Sequence, residues 1–180
     1  MHVLTGIIVK KEEGWDRDDV RGVAEEFLDE FQDSVWDWRT SDAGRWSTRF
    51  PDNVIPATSK QFFDIVEELV EDQIANYNYL KKDIEELNVS NLMANYENAS
   101  AFGCKFALAT NESELIKTSP EDRLKAFSLQ RILDTMLGYF NSDSHIYDIE
   151  RETAHITKNL IENYRSKPDK YCIVLFDIHV

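Results

Sequence analysis

Apolar residues follow two rhythms along the chain. Residues 2–10 form a short, nearly continuous apolar run rich in β-branched residues, which predicts a buried central strand. Val20, Val23, Phe27, Leu28 and Phe31 then recur at spacings of three and four. That period predicts an amphipathic helix over 18–32, with Glu25, Glu26, Asp29 and Glu30 outward and Asp16 or Asp18 as its cap. Ser59 caps a second helical pattern, which runs from Phe62 through Val66, Leu69 and Ile74 to Leu87. A helix over 60–87 would be about 40 Å long. Phe102, Cys104, Phe106 and Leu108 alternate as in a strand. Ser119-Pro120-Glu121-Asp122 supplies a cap, a proline at the first turn and acids at the positive helix end, opening a helix to about residue 140. Residues 145–149 fit strand or helix, and Arg151 to Tyr164 fits a helix. The run from Tyr171 to Val180 is apolar on both faces except at Asp177 and His179. It predicts a second buried strand, neighbour to the first in the middle of one sheet. These elements predict a single α+β domain over 1–180. Its mixed or antiparallel sheet would have about four to five strands, near 2–10, 35–39, 45–50, 102–109 and 171–179, with about four helices packed on it.

The segment from Val35 to Phe50 stands apart. It holds three of the four tryptophans, and Arg39, Arg45 and Arg49 within eleven residues. Strand alternation over 35–39 and 45–50 would make these the arms of a hairpin around Ser41-Asp42-Ala43-Gly44. Trp36, Trp38, Trp46, Thr48 and Phe50 then share one side, and Asp37, Arg39, Arg45, Ser47 and Arg49 the other.

Charge narrows the function classes. The chain carries −14 at neutral pH, with 22 acidic against 10 basic residues in 1–98 and 12 against 10 in 99–180. Direct nucleic-acid binding is disfavoured, because affinity for phosphate backbones comes from Lys and Arg. An acidic face suits a basic protein surface instead. No window approaches the ~20 apolar residues of a membrane helix, and the opening run lacks the basic start of a signal peptide. Cys104 and Cys172 fall in apolar strands and read as reduced thiols of a cytoplasmic protein.

Three groups of residues carry candidate chemistry. Guanidinium groups at Arg39, Arg45 and Arg49 beside the indoles of Trp38 and Trp46 suit a phosphate, carboxylate or nucleobase. The same arginines could instead pair with Asp33, Asp37, Asp42 and Asp52 while the tryptophans pack in the core. Asp177 and His179, two apart, point to the same face of the last strand, and an antiparallel first strand would bring His2 beside them. Glu152 and His155 have the i, i+3 spacing of carboxylate-bridged metal bundles, with Asp148 and His145 nearby, but only one copy exists and no metal or cofactor is expected. Phosphate-loop, dinucleotide, nucleophile-elbow and zinc-protease motifs are absent from the sequence.

The pattern Trp36-Asp37-Trp38…Gly44-Arg45-Trp46, with a chain ending Val174-Leu175-Phe176-Asp177-Ile178-His179, resembles small uncharacterised phage-encoded proteins. Those carry an Asp-Trp-Tyr…Gly-Gly-Arg-Trp segment after an opening strand and helix, and end in a hydrophobic strand bearing Asp and His. Asp37, Trp38, Gly44, Arg45, Trp46, Asp177 and His179 occupy the motif positions, while Arg39 replaces the Tyr and Ala43 the first Gly. The resemblance implies a viral accessory context and a site shared between the aromatic segment and the last strand; it implies no reaction. The expectation is a non-enzymatic binding module in the host cytoplasm, directed against host defence. It would occupy a host protein partner or sequester a small anionic nucleotide ligand at Trp38, Arg39, Arg45, Trp46, Arg49, Asp177 and His179. The alternative is a nucleotide- or nucleic-acid-modifying enzyme using Asp177, His179 and Arg45. An exposed apolar face on helix 60–87 would instead favour a homo-oligomer.

Overall fold

The computed structural model describes residues 2–32, 35–85, 144–179 and, between 131 and 142, all but 132 and 135. Strand 102–109, the start of the helix at 119, Cys104 and Asp33 lie outside the described residues. Contacts divide the chain into two compact units, Met1–Ala75 with Thr135–Val180, and Asn76–Asp134. The five strands and the candidate site belong to the first.

Two strands organise that unit. β1 (His2–Lys10) and β5 (Tyr171–His179) pair antiparallel along their whole length, from His2 opposite His179 to Lys10 opposite Tyr171. Both are buried on both faces, as their unbroken apolar runs require. β4 (Ile146–Asp148) adds parallel to β1, and β2 (Trp38–Arg39) and β3 (Val54–Pro56) both add antiparallel to the other edge of β5. The result is a mixed five-stranded sheet.

Strand parity sorts the core. Leu4, Ile8, Ile173 and Leu175 face one side, packed with Phe62, Ile65, Val66 and Leu69 of α2 (Lys60–Glu85) and Tyr164 of α3 (Lys158–Ser166). Ile7, Val9, Val174, Phe176 and Ile178 face the other, against Val20, Ala24 and Leu28 of α1 (Arg17–Asp29). Asp16 caps α1 in a reciprocal box with Asp19, satisfying amides that the helix itself leaves free. Ser59 accepts from the Gln61 amide at the start of α2. The α+β class and the central antiparallel pair are as the hydrophobic pattern predicts, and the five strands fall within the four to five expected, with β3 and β4 among them instead of 45–50.

Several boundaries differ from it. Three α-helices have defined bounds among the described residues, where about four were expected; Arg131, Leu133, Asp134, Met136 and Leu137 are also helical. Residues 45–50 are not a strand. Gly44–Trp46 is a 3-10 turn, and the Phe50 amide donates to the Trp46 carbonyl, so Trp46 and Phe50 lie one turn apart against the α2-side core. The hairpin is therefore absent, and the pairing falls to β3, within the expected 51–56 loop. The three tryptophans do not share a face: Trp36 is buried against α1, Trp46 is half-buried on the α2 side, and Trp38 is exposed. Residues 145–149 resolve as strand β4. The last helix begins at Lys158, capped by Thr157, and not at Arg151.

The reason is Asp148. Its buried carboxylate accepts from the Arg151 amide at 3.1 Å, the Arg151 guanidinium at 2.8 Å and the Tyr164 hydroxyl at 2.5 Å, and so turns 149–153 back onto the sheet. Glu152 takes a positive φ of 48° in that turn. Glu152 and His155 consequently share no helix face.

Candidate functional site

The site lies where β1, β2 and β5 end together. Parity and register place His2, Asp177, His179 and Trp38 at this end of the ladder. Asp177 is buried, and its two oxygens are both engaged: His2 Nδ1 lies 2.8 Å from Oδ1, and the Arg45 amide donates to Oδ2 at 3.1 Å. The backbone of the 3-10 turn can come this close only because residue 44 is glycine. Its φ is +49°, and a Cβ there would lie 2.4 Å from Asp177 Cβ. Ala43, in place of the resembled family's first Gly, sits at φ −75°, which any residue adopts.

A second carboxylate–imidazole pair stands beside the first. His179 Nδ1 lies 2.7 Å from Asp37 Oδ1, and the Asp37 amide donates to the His179 carbonyl. An ionised carboxylate only accepts, so in each pair Nδ1 carries the proton. The two imidazole centroids are 5.2 Å apart at 76°. The Trp38 indole stacks on His179 at 5.3 Å and 8°, and meets His2 edge-on at 5.0 Å. Trp38 remains 43% exposed, which leaves part of its ring for a partner or ligand.

The three arginines do not converge. Arg39 folds to the α1 side, pairs with Asp29 at 2.8 Å and Glu25 at 3.6 Å, and lies over the Trp36 and Phe176 rings. Arg49 pairs with Glu68 of α2, at 2.7 Å through Nη1, and covers Phe50. Both pair with acids, though not with Asp37, Asp42 or Asp52. Arg45 is exposed, and its guanidinium has no ion-pair partner among the described residues. Of the expected ligand-binding set, Trp38, Asp177 and His179 lie at this end of the ladder, and Arg45 reaches it through its backbone amide. Arg39 and Arg49 are neutralised elsewhere, and Trp46 is core packing. His2 joins as the expected antiparallel pairing implied, and Asp37 joins although alternation had put it opposite Trp38.

Among the described residues no group of three or more His, Cys, Asp or Glu side chains is placed to hold a metal. An open polar depression of ≈ 720 Å³ lies to one side, lined by Arg17, Arg21, Asp52 and Asn53 among others. Its two arginines are already paired, Arg17 with Asp52 and Arg21 with Asp18. No helix of the described residues is long and apolar enough to cross a membrane. No family model matches the chain, and no curated protein or solved structure matches it.

Three carboxylates are held below their ordinary range. The hydrogen bond from His179 lowers Asp37, and that from Arg49 lowers Glu68. At Glu150 burial pushes upward, but the Lys10 hydrogen bond and the charges of Arg151 and Lys10 outweigh it. A lowered folded value contributes stability that is complete above the unfolded value and is lost as pH falls through the folded one. The ordinary values are 3.8 for Asp and 4.5 for Glu. The melting temperature should therefore hold steady down to about pH 5 and fall progressively below about pH 4.5. Thermal melts across that range check it, and Glu68→Gln should flatten the decline.

Proposed function

We propose that the chain is a binding module of the phage accessory type that captures a small anionic nucleotide at the end of the β1–β5 ladder and acts against host defence by sequestering it. The observation that carries this reading is the exposed Trp38 indole against the His2 and His179 rings, with the Arg45 backbone amide held beside them on Asp177. An exposed indole offers a stacking face, and Arg45 supplies a cation with no carboxylate partner among the described residues. The His2 and His179 rings flank that indole and give it a rigid backing. A base on Trp38 and a phosphate toward Arg45 satisfy both ends of a nucleotide. The host cytoplasm is the place such a module would act, and it belongs to the proposal.

The protein-partner reading draws on the same exposed tryptophan, because Trp and Arg are the residues that most often anchor interfaces. It loses part of its acidic docking face, since Glu25 and Asp29 of α1 are committed to Arg39.

A thermal-shift screen against mono-, di- and cyclic nucleotides separates the readings. At a ligand concentration about 100 times Kd, binding adds about 2.7 kcal/mol, which raises the melting temperature by about 5 °C or more in a chain of this size. Arg45→Ala should erase the rise and Arg49→Ala should preserve it. No rise with any nucleotide would overturn ligand capture and leave the partner reading.

A further inference from the structure

We propose that capture at Trp38 is proton-gated through His2: the anionic nucleotide is held strongly when His2 is an imidazolium and weakly when it is neutral, so the module loads as pH falls and releases as pH rises. This rests on the nucleotide-capture reading and adds its regulation. The groups that face the His2 ring come from β5, β2 and the 3-10 turn. From β5, Asp177 lies 2.8 Å from His2 Nδ1, and the His179 ring stands 5.2 Å away. From β2, the Trp38 indole lies 5.0 Å from the His2 ring, and Asp37 is paired with His179 at 2.7 Å. From the turn, the Arg45 amide donates to the other Asp177 oxygen. His2 is thus in contact with both the buried carboxylate and the exposed indole.

The sign follows from charge. With both imidazoles neutral, each carboxylate–imidazole pair carries the negative charge of its Asp. The two charges do not weigh equally. The Asp177 side chain is 2% exposed and that of Asp37 is 63% exposed, and water screens a buried charge far less. An anion docked on Trp38 is therefore brought against the Asp177 carboxylate, and the repulsion opposes binding. A second proton on His2 goes to Nε2, because Nδ1 already carries one. The ring becomes a cation that offsets Asp177 and attracts the ligand.

Imidazole is the side chain whose charge changes between about pH 5 and pH 8. That window lies above the range in which the paired carboxylates lose their contribution to stability, so release with rising pH is not unfolding. The hydrogen bond from His179 holds the Asp37 carboxyl below its ordinary range, which keeps it ionised throughout the window. The His2 and His179 rings are close enough that one positive charge opposes a second. Loading should therefore take up at most about one proton per ligand.

The test uses the full chain with 3′,5′-cyclic AMP and 3′,5′-cyclic UMP, a purine and a pyrimidine. As phosphodiesters they lack the second ionisation of a phosphate monoester, at about pH 6, which would confound the result. Isothermal titration at about pH 5.5 and about pH 8 gives the affinities, and titration in buffers of different ionisation enthalpy counts the protons taken up. Wild-type affinity should rise by about tenfold from the higher pH to the lower, the effect of one added charge at a few ångströms, with net proton uptake. His2→Gln keeps a donor toward Asp177 but cannot become a cation, so it should bind weakly and equally at both pH values. If that variant does not fold, the proton count on the wild type decides alone. Binding at one affinity throughout, without proton uptake, overturns the gate and leaves capture standing. A pH dependence that survives in His2→Gln overturns the assignment to His2. No binding of either nucleotide at either pH overturns both the gate and the capture reading.

Discussion

Asp148→Ala should destabilise the protein by about 3 kcal/mol while leaving the sheet-end site untouched. Asp148 is 1% exposed and binds three groups at once. Its removal leaves the buried Tyr164 hydroxyl without an acceptor, which costs about 1–3 kcal/mol alone. It also deprives the Arg151 guanidinium of one of two carboxylates, the other being Glu150 at 3.0 Å. That remaining pair keeps the total near the lower end of the range for broken buried ion pairs. The lost carboxylate further releases the turn at Glu152, where the backbone sits at a positive φ. Urea unfolding should show a lower midpoint at a similar slope. Adding Tyr164→Phe should recover about 1 kcal/mol by removing the orphaned hydroxyl. A second change that deepens the loss instead would show that the ring of Tyr164, and not its hydroxyl, carries the coupling.

Gly44→Ala should cost about 2–5 kcal/mol and abolish ligand binding together. Two penalties add: a left-handed residue bearing a Cβ costs about 1–2 kcal/mol, and overpacking a closed contact costs about 1–3 kcal/mol. The colliding atoms are the Cβ, Oδ2 and Cγ of Asp177, held on the central strand β5 and unable to swing away cheaply. The relief available is to push the 3-10 turn outward. That breaks the hydrogen bond from the Arg45 amide to Asp177 and shifts Arg45 with the turn. Ala43→Gly, one residue earlier, should lose a few tenths of a kcal/mol to 1 kcal/mol through chain entropy while preserving binding. Chemical denaturation and a nucleotide titration of both variants check the contrast.

The hydrophobic pattern carried the fold where one physical cause dominated. β1 and β5 were legible because strands buried on both faces must be continuously apolar, and two such strands must be neighbours. α1 was legible from its period and from Asp16, whose side chain can satisfy free amides only at a helix start. Residues 45–50 were misread because Trp46 and Phe50 fit alternation and a single helical turn equally well; the spacing of four was the signal that decides it. β3 was hidden by its length of three residues and by Pro56, which an edge strand tolerates. The helix expected from Arg151 failed at Asp148, and the Asp148–Arg151 spacing was visible but competed with a stronger apolar period.

The candidate site was half legible for the same reason. Parity brought Asp177, His179 and His2 together, since residues two apart on a strand share a face. Arginine counting failed. Guanidinium groups in an acidic chain find carboxylates, and Arg39 and Arg49 did so on opposite faces of the sheet. The pairing of Asp37 with His179 depends on the two-residue strand β2, too short to announce itself by pattern.

The central claim is that Arg45 and Trp38 at the end of β1 and β5 hold an anionic nucleotide. Isothermal titration of the tightest nucleotide from the thermal screen tests it most directly, with wild type, Arg45→Ala, Trp38→Ala and Arg49→Ala measured side by side. Arg45→Ala and Trp38→Ala should each weaken binding by about tenfold or more, the loss of roughly one charge-assisted contact or one stacked ring, while Arg49→Ala should match wild type. Equal affinity across all four proteins would contradict the claim.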